Sequence, residues 1–404
     1  MPAADTAKPE PWSARPKRRV ALLIEASNAH ARLILQGIVS YVREHKPWSF
    51  SLMDQGRGDE APVWVKDWDG DGIIARVKNQ RIANKIIASG LPVVDISIQH
   101  YIPNMPSVEP DDDAIARLAV EHFVQRGFRS FAYCGDNTFL ISDRRGLAFA
   151  KALAASGLNA FSFNRDYPES VSISRRISEI GDWLADLPKP LAVFACYDVR
   201  GQHILDACRM RGFVVPEQVA VLGVDNDELL CEMASPPLSS VIPNARRTGY
   251  EAARLLDRLM SGERVSPTPL KIEPIGISLR QSTEVLAVPD VHLARALRFI
   301  RDHASEAIGV PEVTRAVSLS RRLLEKRFRQ ILNRTIHDEI MLARIGRVKQ
   351  LLVESQLSLE QIAATTGYEH PEYLSVVFKR EVGISPRQYR EREGQGKLAT
   401  GQPR

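Results

Sequence analysis

The sequence predicts a two-lobed α/β domain followed by an all-α domain that carries two helix-turn-helix units. Three observations predict it. From residue 20 to about residue 280, short apolar runs of strand length alternate with amphipathic segments of helix length, the pattern of parallel sheets covered on both faces. From Val291 the strand signal stops and the apolar period becomes helical. The charge divides at the same place: residues 290–404 hold 20 Lys+Arg against 14 Asp+Glu, a net +6, whereas residues 1–289 hold 34 against 35, a net −1. A basic helical end on a neutral α/β body is the footprint of a nucleic-acid module joined to a partner domain.

The elements follow in order. Residues 1–18 are rich in proline and charge and lack an apolar h-region, which predicts a disordered tail and no secretion signal. Lys17, Arg18 and Arg19 read as a solvated lead-in to the first strand, with a nucleic-acid contact as the alternative. VALLIEA is a first strand, followed by a helix over Ala31–Glu44. WSFSLMD, DGIIA, a helix near Arg81–Ser89 and LPVVDIS come next. In PDDDAIARLAVEHF, acidic residues precede an apolar stripe at helical spacing, a helix start. A metal at Asp111, Asp112 and Asp113 is the alternative. Then come SFAYCG, a helix over Arg145–Ala155, NAFSF, a helix near Val171–Leu187, LAVFA, a helix over Asp198–Arg211 and VAVLGVD.

This stretch exceeds one comfortable doubly wound sheet, so two lobes are expected. They are residues 19–126 with 243–262, and 127–242 with 263–282. A linker over 283–289, a helical domain over 290–392 and a tail over 393–404 complete the division. The four cysteines form no CxxC and sit at no metal spacing, as expected of reduced thiols in a cytoplasmic protein. No apolar run reaches membrane-spanning length. No GxSxG, HExxH, P-loop or dinucleotide-binding glycine fingerprint appears, so no catalytic residues, cofactor or metal are expected.

The chemistry-bearing motif is Ser358–Arg390, SLEQIAATTGYEHPEYLSVVFKREVGISPRQYR. Ile362 and Ala363 lie on the inner face of a first helix. Gly367 stands where the turn needs a left-handed backbone. Pro371 suits the first turn of a second helix, and Leu374 and Phe378, four apart, share its buried face. Gly383 ends that helix, and Ser385 caps the last one with Pro386 at its first position. A fainter copy runs from about Val310 to Leu332. Such units place their second helix in the DNA major groove.

The runs IA…GY…YLSVVFKREVGISPRQYR and SLSRRLLEKRFRQILNRTIHDEI resemble the arabinose-activator (AraC/XylS) family of transcription regulators over residues 290–392. The resemblance implies two recognition helices in successive major grooves of double-stranded operator DNA with direct-repeat half-sites, joined by a helix over Ile336–Glu354. It implies Leu324 and Phe328 as core and Arg322, Glu325 and Lys326 as groove-facing. Ser320 and Arg321 fall near phosphates, with Arg329 on the same helix. In the second unit Glu372, Tyr373, Ser375 and Val376 face the groove, and Lys379 and Arg380 approach the backbone. Arginine and lysine suit guanine edges, and glutamate accepts from cytosine. Many relatives have arginine where this chain has Val376, which suits thymine methyls instead.

DDDAIARLAVEHFVQRGFRSFAYCGD, VAVLGVDNDEL and LSSVIPNARRTGYEAARLLDRLM resemble the effector domains of the LacI/GalR repressors over about residues 19–281. The resemblance implies a type I periplasmic-binding-protein-like fold. Open α/β sheets bind ligands at the C-terminal ends of their strands. There the sequence places Glu25, Ser27 and Asn28, Tyr197 and Asp198, and Asp225. Arg145 falls on the family's effector-binding arginine, with Arg144 the alternative if the register shifts by one. Asp225 and Arg145 supply the bidentate chemistry that a sugar needs. Asp198 reads equally as a helix N-cap and Asn226 as a turn residue. Relatives often have asparagine at Tyr197. Trp48, Trp64, Trp68 and Trp183 read as core before ring-stacking platforms.

The order of effector lobes first and two helix-turn-helix units last resembles the xylose-operon activators, supported by LEKRF, YLSVVFKR and GVDNDEL. It implies a monosaccharide effector, D-xylose foremost. It also implies RNA polymerase as a partner, a homodimer and a cytoplasmic protein that joins the nucleoid on DNA. A regulator of the same architecture for another ligand, a repressor, and a transport-type sugar-binding protein are the alternatives.

Overall fold

VALL places four apolar residues in a row, and successive residues of a strand face opposite sides. In the computed structural model both sides are covered. Val20, Leu22 and Ile24 pack with Ile34 and Ile38, while Ala21 and Leu23 pack with Ile82 and Ile86. The structure describes residues 17–45, 47–52, 68–165, 167, 170–284, 290–306, 308–355 and 357–398. The tail residues 1–16 and 399–404, Trp64 and linker residues 285–289 lie outside the described residues.

The chain divides into two compact units. The first comprises residues 1–284 without 188–190 and 212–220. It opens with β1 (Arg18–Leu23), α1 (Ala29–Glu44), β2 (Trp48–Leu52), β3 (Gly72–Ala75), α2 (Gln80–Ser89) and β4 (Val93–Asp95). These strands form a parallel sheet in the order β2-β1-β3-β4. There follow β5 (Val108–Pro110), α3 (Asp112–Gln125), β6 (Ser130–Cys134), α4 (Leu140–Ala154), β7 (Ala160–Phe163) and α5 (Ile173–Ala185). Next are β8 (Leu191–Ala195), α6 (Asp198–Arg211), β9 (Val219–Val224), α7 (Glu228–Met233) and β10 (Ser239–Ile242). The last are α8 (Ala245–Met260), β11 (Leu270–Ile272) and β12 (Gly276–Ser278). The second sheet runs β12-β10-β9-β8-β6-β7, with β12 antiparallel to β10, and β5 pairs with β11.

Three details differ from the sequence reading. The last helix of the chain runs from Pro386 to Leu398, through the first six positions of the tail expected over 393–404. The helix holding Arg145 begins at Leu140, so Arg145 lies in its second turn. And α3 packs on α4 and reaches β10, so it joins the six-stranded half instead of closing the first lobe at 126. An apolar stripe such as Ile115, Ala119 and Phe123 says that a helix is covered, not by which sheet.

Arg18 pairs with Asp257 at 2.5 Å and Arg19 with Asp69 at 2.9 Å, tying both into the first sheet's surroundings. Trp48 is buried against Tyr41, and Trp183 lies against Phe163 at 5.0 Å; Trp68 stands under the Arg19 guanidinium at 5.0 Å. The helices α1 and α8 cross at two glycines: a Cβ on Gly249 would overlap the carbonyl of Ile34, and one on Gly37 that of Arg246.

The second unit comprises residues 285–404 with 188–190 and 212–220. Its helices are α9 (Val291–Asp302), α10 (Val310–Val317), α11 (Arg321–Leu332), α12 (Ile336–Glu354), α13 (Leu359–Thr365), α14 (Pro371–Val382) and α15 (Pro386–Leu398). The helix-turn-helix repeat has an offset of 50 positions, taking Arg321 to Pro371 and Asn333 to Gly383. Both recognition helices end on a left-handed residue, Asn333 or Gly383, and both are followed by a capped helix starting after Thr335 or Ser385. The long helix α12 serves both halves. Ile336 and Ile340 join Leu324 and Phe328; Ile345, Val348 and Leu352 join Leu374 and Phe378. Within this unit Arg301 of α9 forks onto the fully buried Glu217 carboxylate and onto the Val215 carbonyl at 3.1 Å. No helix among the described residues is long and apolar enough to cross a membrane.

Replacing Gly249 by alanine should force α1 and α8 apart and cost about 1–3 kcal/mol or more. Urea unfolding of the full chain, followed by far-UV circular dichroism, would read this as a lower midpoint; an unchanged midpoint would contradict the close crossing.

Candidate effector cleft and nucleic-acid interface

Parallel sheets open a crevice where the strand order reverses, because neighbouring connections leave on opposite faces. In the first sheet that point lies between β1 and β3, and in the second between β6 and β8. Polar clusters occupy both.

At the end of β1, the buried Glu25 accepts from Ser27 Oγ at 2.8 Å, Asn28 Nδ2 at 3.0 Å and Lys78 Nζ at 2.9 Å, the lysine arriving from beyond β3. Burial pushes this carboxyl up, but the hydrogen bonds from Lys78, Ser27 and Asn28 outweigh it and hold it below the usual range. Asn28 also caps α1, its Oδ1 accepting from Ala31 N at 2.8 Å. These three predicted residues are thus brought together, and chiefly bond one another.

Between β6 and β8, the Tyr197 hydroxyl donates to Asp136 at 2.5 Å, and the buried Arg200 pairs with the same carboxylate at 2.8 Å. Burial, the neighbouring Cys196 and Asp136 raise the Tyr197 phenol far above its ordinary range. Asp136 follows SFAYCG directly, so the strand-end rule that selected Asp225 also selects it; Lys78 stands three places beyond DGIIA, past Arg76 and Val77.

Arg145 is almost wholly buried on α4. It donates from Nε to Asp112 Oδ1 at 3.0 Å and from Nη1 to the Cys196 carbonyl at 2.6 Å. Burial opposes its charge, but Asp112 and Asp225 outweigh this and raise its pKa. Asp112 is raised too, by burial that its pairing with Arg145 only partly offsets. The guanidinium gains from two carboxylates, while Asp112 also faces Glu109, so the arginine is the secure charge of the pair. Arg144, half-exposed, instead forks onto Glu109 at 3.0 and 2.9 Å, joining α4 to β5. The acidic run divides its work: Asp111 caps α3, Asp112 meets Arg145 and Asp113 meets Lys271 at 3.1 Å.

Asp225 follows β9 directly at φ 110°, a backbone that a non-glycine residue adopts only under strain. The loop beyond it is braced by Asp198. One Asp198 oxygen accepts from Ser240 Oγ at 2.6 Å and the other from Asp227 N at 2.8 Å. Asp198 is therefore the first residue of α6 and a brace for the Asp225 loop. Asn226, also left-handed, accepts from Arg280 at 2.9 Å. Burial first, and then repulsion by Asp225, lift the Asp198 carboxyl to about 7.

In the helical unit, Leu324 and Phe328 turn inward on α11, and Arg321, Arg322, Lys326 and Arg329 turn outward. Ser320 caps that helix, accepting from Leu323 N. Glu325 is only half-exposed, and its Oε2 is buried with no hydrogen-bond partner among the described residues. On α14 the exposed face is Glu372, Tyr373, Val376, Lys379 and Arg380, with Ser375 half-buried and Arg380 paired to Glu381 at 2.8 Å. Tyr373 and Val376 are 57% and 66% exposed, too open for core residues. Gly367, at φ 72°, makes the turn before this helix.

Comparison with known proteins agrees with this division. The XylR N-terminal domain family matches residues 19–112, the periplasmic binding protein-like domain 120–283, and a helix-turn-helix domain 313–392. The xylose operon regulatory protein of Escherichia coli (strain K12) is 29% identical over 383 residues, 93% of this chain and 97% of the relative. That of Haemophilus influenzae (strain ATCC 51907 / DSM 11121 / KW20 / Rd) is 29% identical over 92% of this chain and 98% of its own. The solved structure of the xylose-binding transcription activator xylR superposes with a TM-score of 0.83 at 28% identity, covering 93% of this chain and 98% of the other.

Two expectations follow. Asp198 carries a folded pKa above the ordinary value, so its contribution to stability is present below about pH 4 and is lost as pH rises through about 7. Ser240→Ala removes a donor to the charged form. It should cost about 1–3 kcal/mol, more at pH 8 than at pH 5, in urea unfolding at the two pH values. For DNA, Arg322→Ala should lose about 1–3 kcal/mol and relax base preference at one position. Lys379→Ala should weaken all sequences alike and lower the salt slope by about 1, read by fluorescence anisotropy across a salt series.

Proposed function

We propose that this chain senses a pentose, D-xylose foremost, in its effector cleft and activates pentose-catabolic genes. It is a DNA-binding transcription regulator that joins a periplasmic-binding-protein-like domain to an AraC-type helix-turn-helix domain. It works as a cytoplasmic homodimer that recruits RNA polymerase at direct-repeat operator half-sites.

The observation that carries this reading is the co-linear likeness of both domains to the xylose-binding activator, across nearly the whole chain. The cleft chemistry supports it. Arg145 and Asp225 bring a fixed donor fork and a carboxylate to the strand ends, where a sugar presents adjacent hydroxyls that donate and accept. Tyr197 is committed to Asp136, so the ligand meets the Asp136–Tyr197 pair where relatives often offer an asparagine amide. On the DNA side, the 19-residue α12 is about 28 Å long, near the ~34 Å between successive major grooves on one face of the duplex.

Sugar in the cleft favours the closed lobes, and the two protomers then present their recognition helices to both half-sites. Such coupling is bounded by the ligand's differential affinity for the two states, about 1–3 kcal/mol. The test is operator affinity, on DNA selected by the protein from a random pool, with and without D-xylose. The expected result is a tightening of about 5–150-fold. Unchanged affinity at saturating D-xylose would overturn the xylose reading. A response to another sugar would reassign the effector, and loosened binding would reverse the sign of regulation.

A further inference from the structure

His30 lies in the first turn of α1, two residues beyond the Asn28 cap. Its ring is half-buried overall, and Nδ1 is sealed from solvent with no hydrogen-bond partner among the described residues. The charged groups acting on it come from both sheets: Asp225 beyond β9, Arg76 beyond β3 and Arg145 on α4. Asn28, two residues before it, belongs to the Glu25 cluster at the end of β1.

Burial depresses the ring's pKa to about 4; Asp225 opposes this and Arg76 and Arg145 reinforce it. At neutral pH the ring is uncharged, with one nitrogen donating and the other accepting. The charges acting on it are one-way groups: the guanidinium groups of Arg76 and Arg145 only donate, and the carboxylate of Asp225 only accepts. A neutral imidazole in that company fits a partner that goes either way, which a hydroxyl does and a carboxylate or an ammonium does not. A buried nitrogen left unpaired costs stability, so a ligand hydroxyl that reaches it is favoured over one that points elsewhere.

We propose that His30 is a specificity-determining residue of the effector cleft, whose Nδ1 hydrogen-bonds one ring hydroxyl of the bound monosaccharide and so reads the configuration of a single carbon. This rests on the pentose reading above. A site built to hydrogen-bond a hydroxyl rejects an analogue that lacks or misplaces it, because the buried partner is then left unpaired.

The experiment is calorimetry of wild type, His30→Phe and His30→Gln against D-xylose and its single-centre epimers D-lyxose, D-ribose and L-arabinose. In His30→Phe the preference for D-xylose over one of the epimers should fall at least about tenfold, while the other two preferences hold. His30→Gln, which keeps a donor and an acceptor, should retain more of that preference. The melting temperature of the sugar-free variants checks that they fold, and His30→Leu replaces the phenylalanine variant if it does not. Preferences that stay unchanged, or that fall together at all three centres, would overturn the role of His30 while leaving the pentose reading standing. Wild-type protein that binds none of the four sugars would overturn both.

Discussion

A guanidinium shut away from water must find its counter-charge and its acceptors inside the protein, and Arg145 finds them in Asp112 and the Cys196 carbonyl. Those two bonds hold the start of α3, the second turn of α4 and the end of β8 together. Tyr197 and Asp198 follow that Cys196 carbonyl directly in the chain. A buried ion pair adds little net stability, because desolvation of the two charges offsets their attraction. What it supplies is position. The same arginine feels Asp225, the strained residue directly after β9, so the field of the cleft is set by a cation that cannot move to water.

The remaining strand-end groups divide between bracing and presenting. Asp198 spends both oxygens on the loop that carries Asp225, and Tyr197 spends its hydroxyl on Asp136. Glu25 collects Ser27, Asn28 and Lys78 at the reversal of the first sheet. Such networks are satisfied locally and stiffen the crevice walls. His30 differs, since its inward nitrogen has no partner among the described residues.

In the helical unit one long helix feeds two cores, so the two readers share a support while exposing different chemistry. The outward face of α11 is cationic, and that of α14 mixes Glu372, Tyr373 and Val376 with basic residues at its end. The first suits guanine edges and phosphates, the second thymine methyls and backbone contact. The half-buried Glu325 lies to the side of the α11 face that the sequence assigned to it. A heptad-like count places a side chain on a helix to within about one position, and the packed neighbours decide the rest.

What was legible in the sequence is what local physics sets. Strand runs, amphipathic periods, the left-handed turn at Gly367, the cap at Ser385 and the strand-end positions of Glu25, Tyr197 and Asp225 each depend on residues a few places apart. They were readable without a partner. The assignment of α3 to the six-stranded half, the start of α4 before Arg145 and the capture of Tyr197 by Asp136, 61 positions away, were not. Nor was the bracing role of Asp198 or the burial of His30 Nδ1 with no partner among the described residues. The sequence by itself determined the elements, their order and which strand ends face the crevice, because these follow from periodicity and backbone geometry. Only the tertiary structure decided which of those side chains are already spent on partners far along the chain, because hydrogen bonds and buried charges are satisfied across space and leave no period in the sequence.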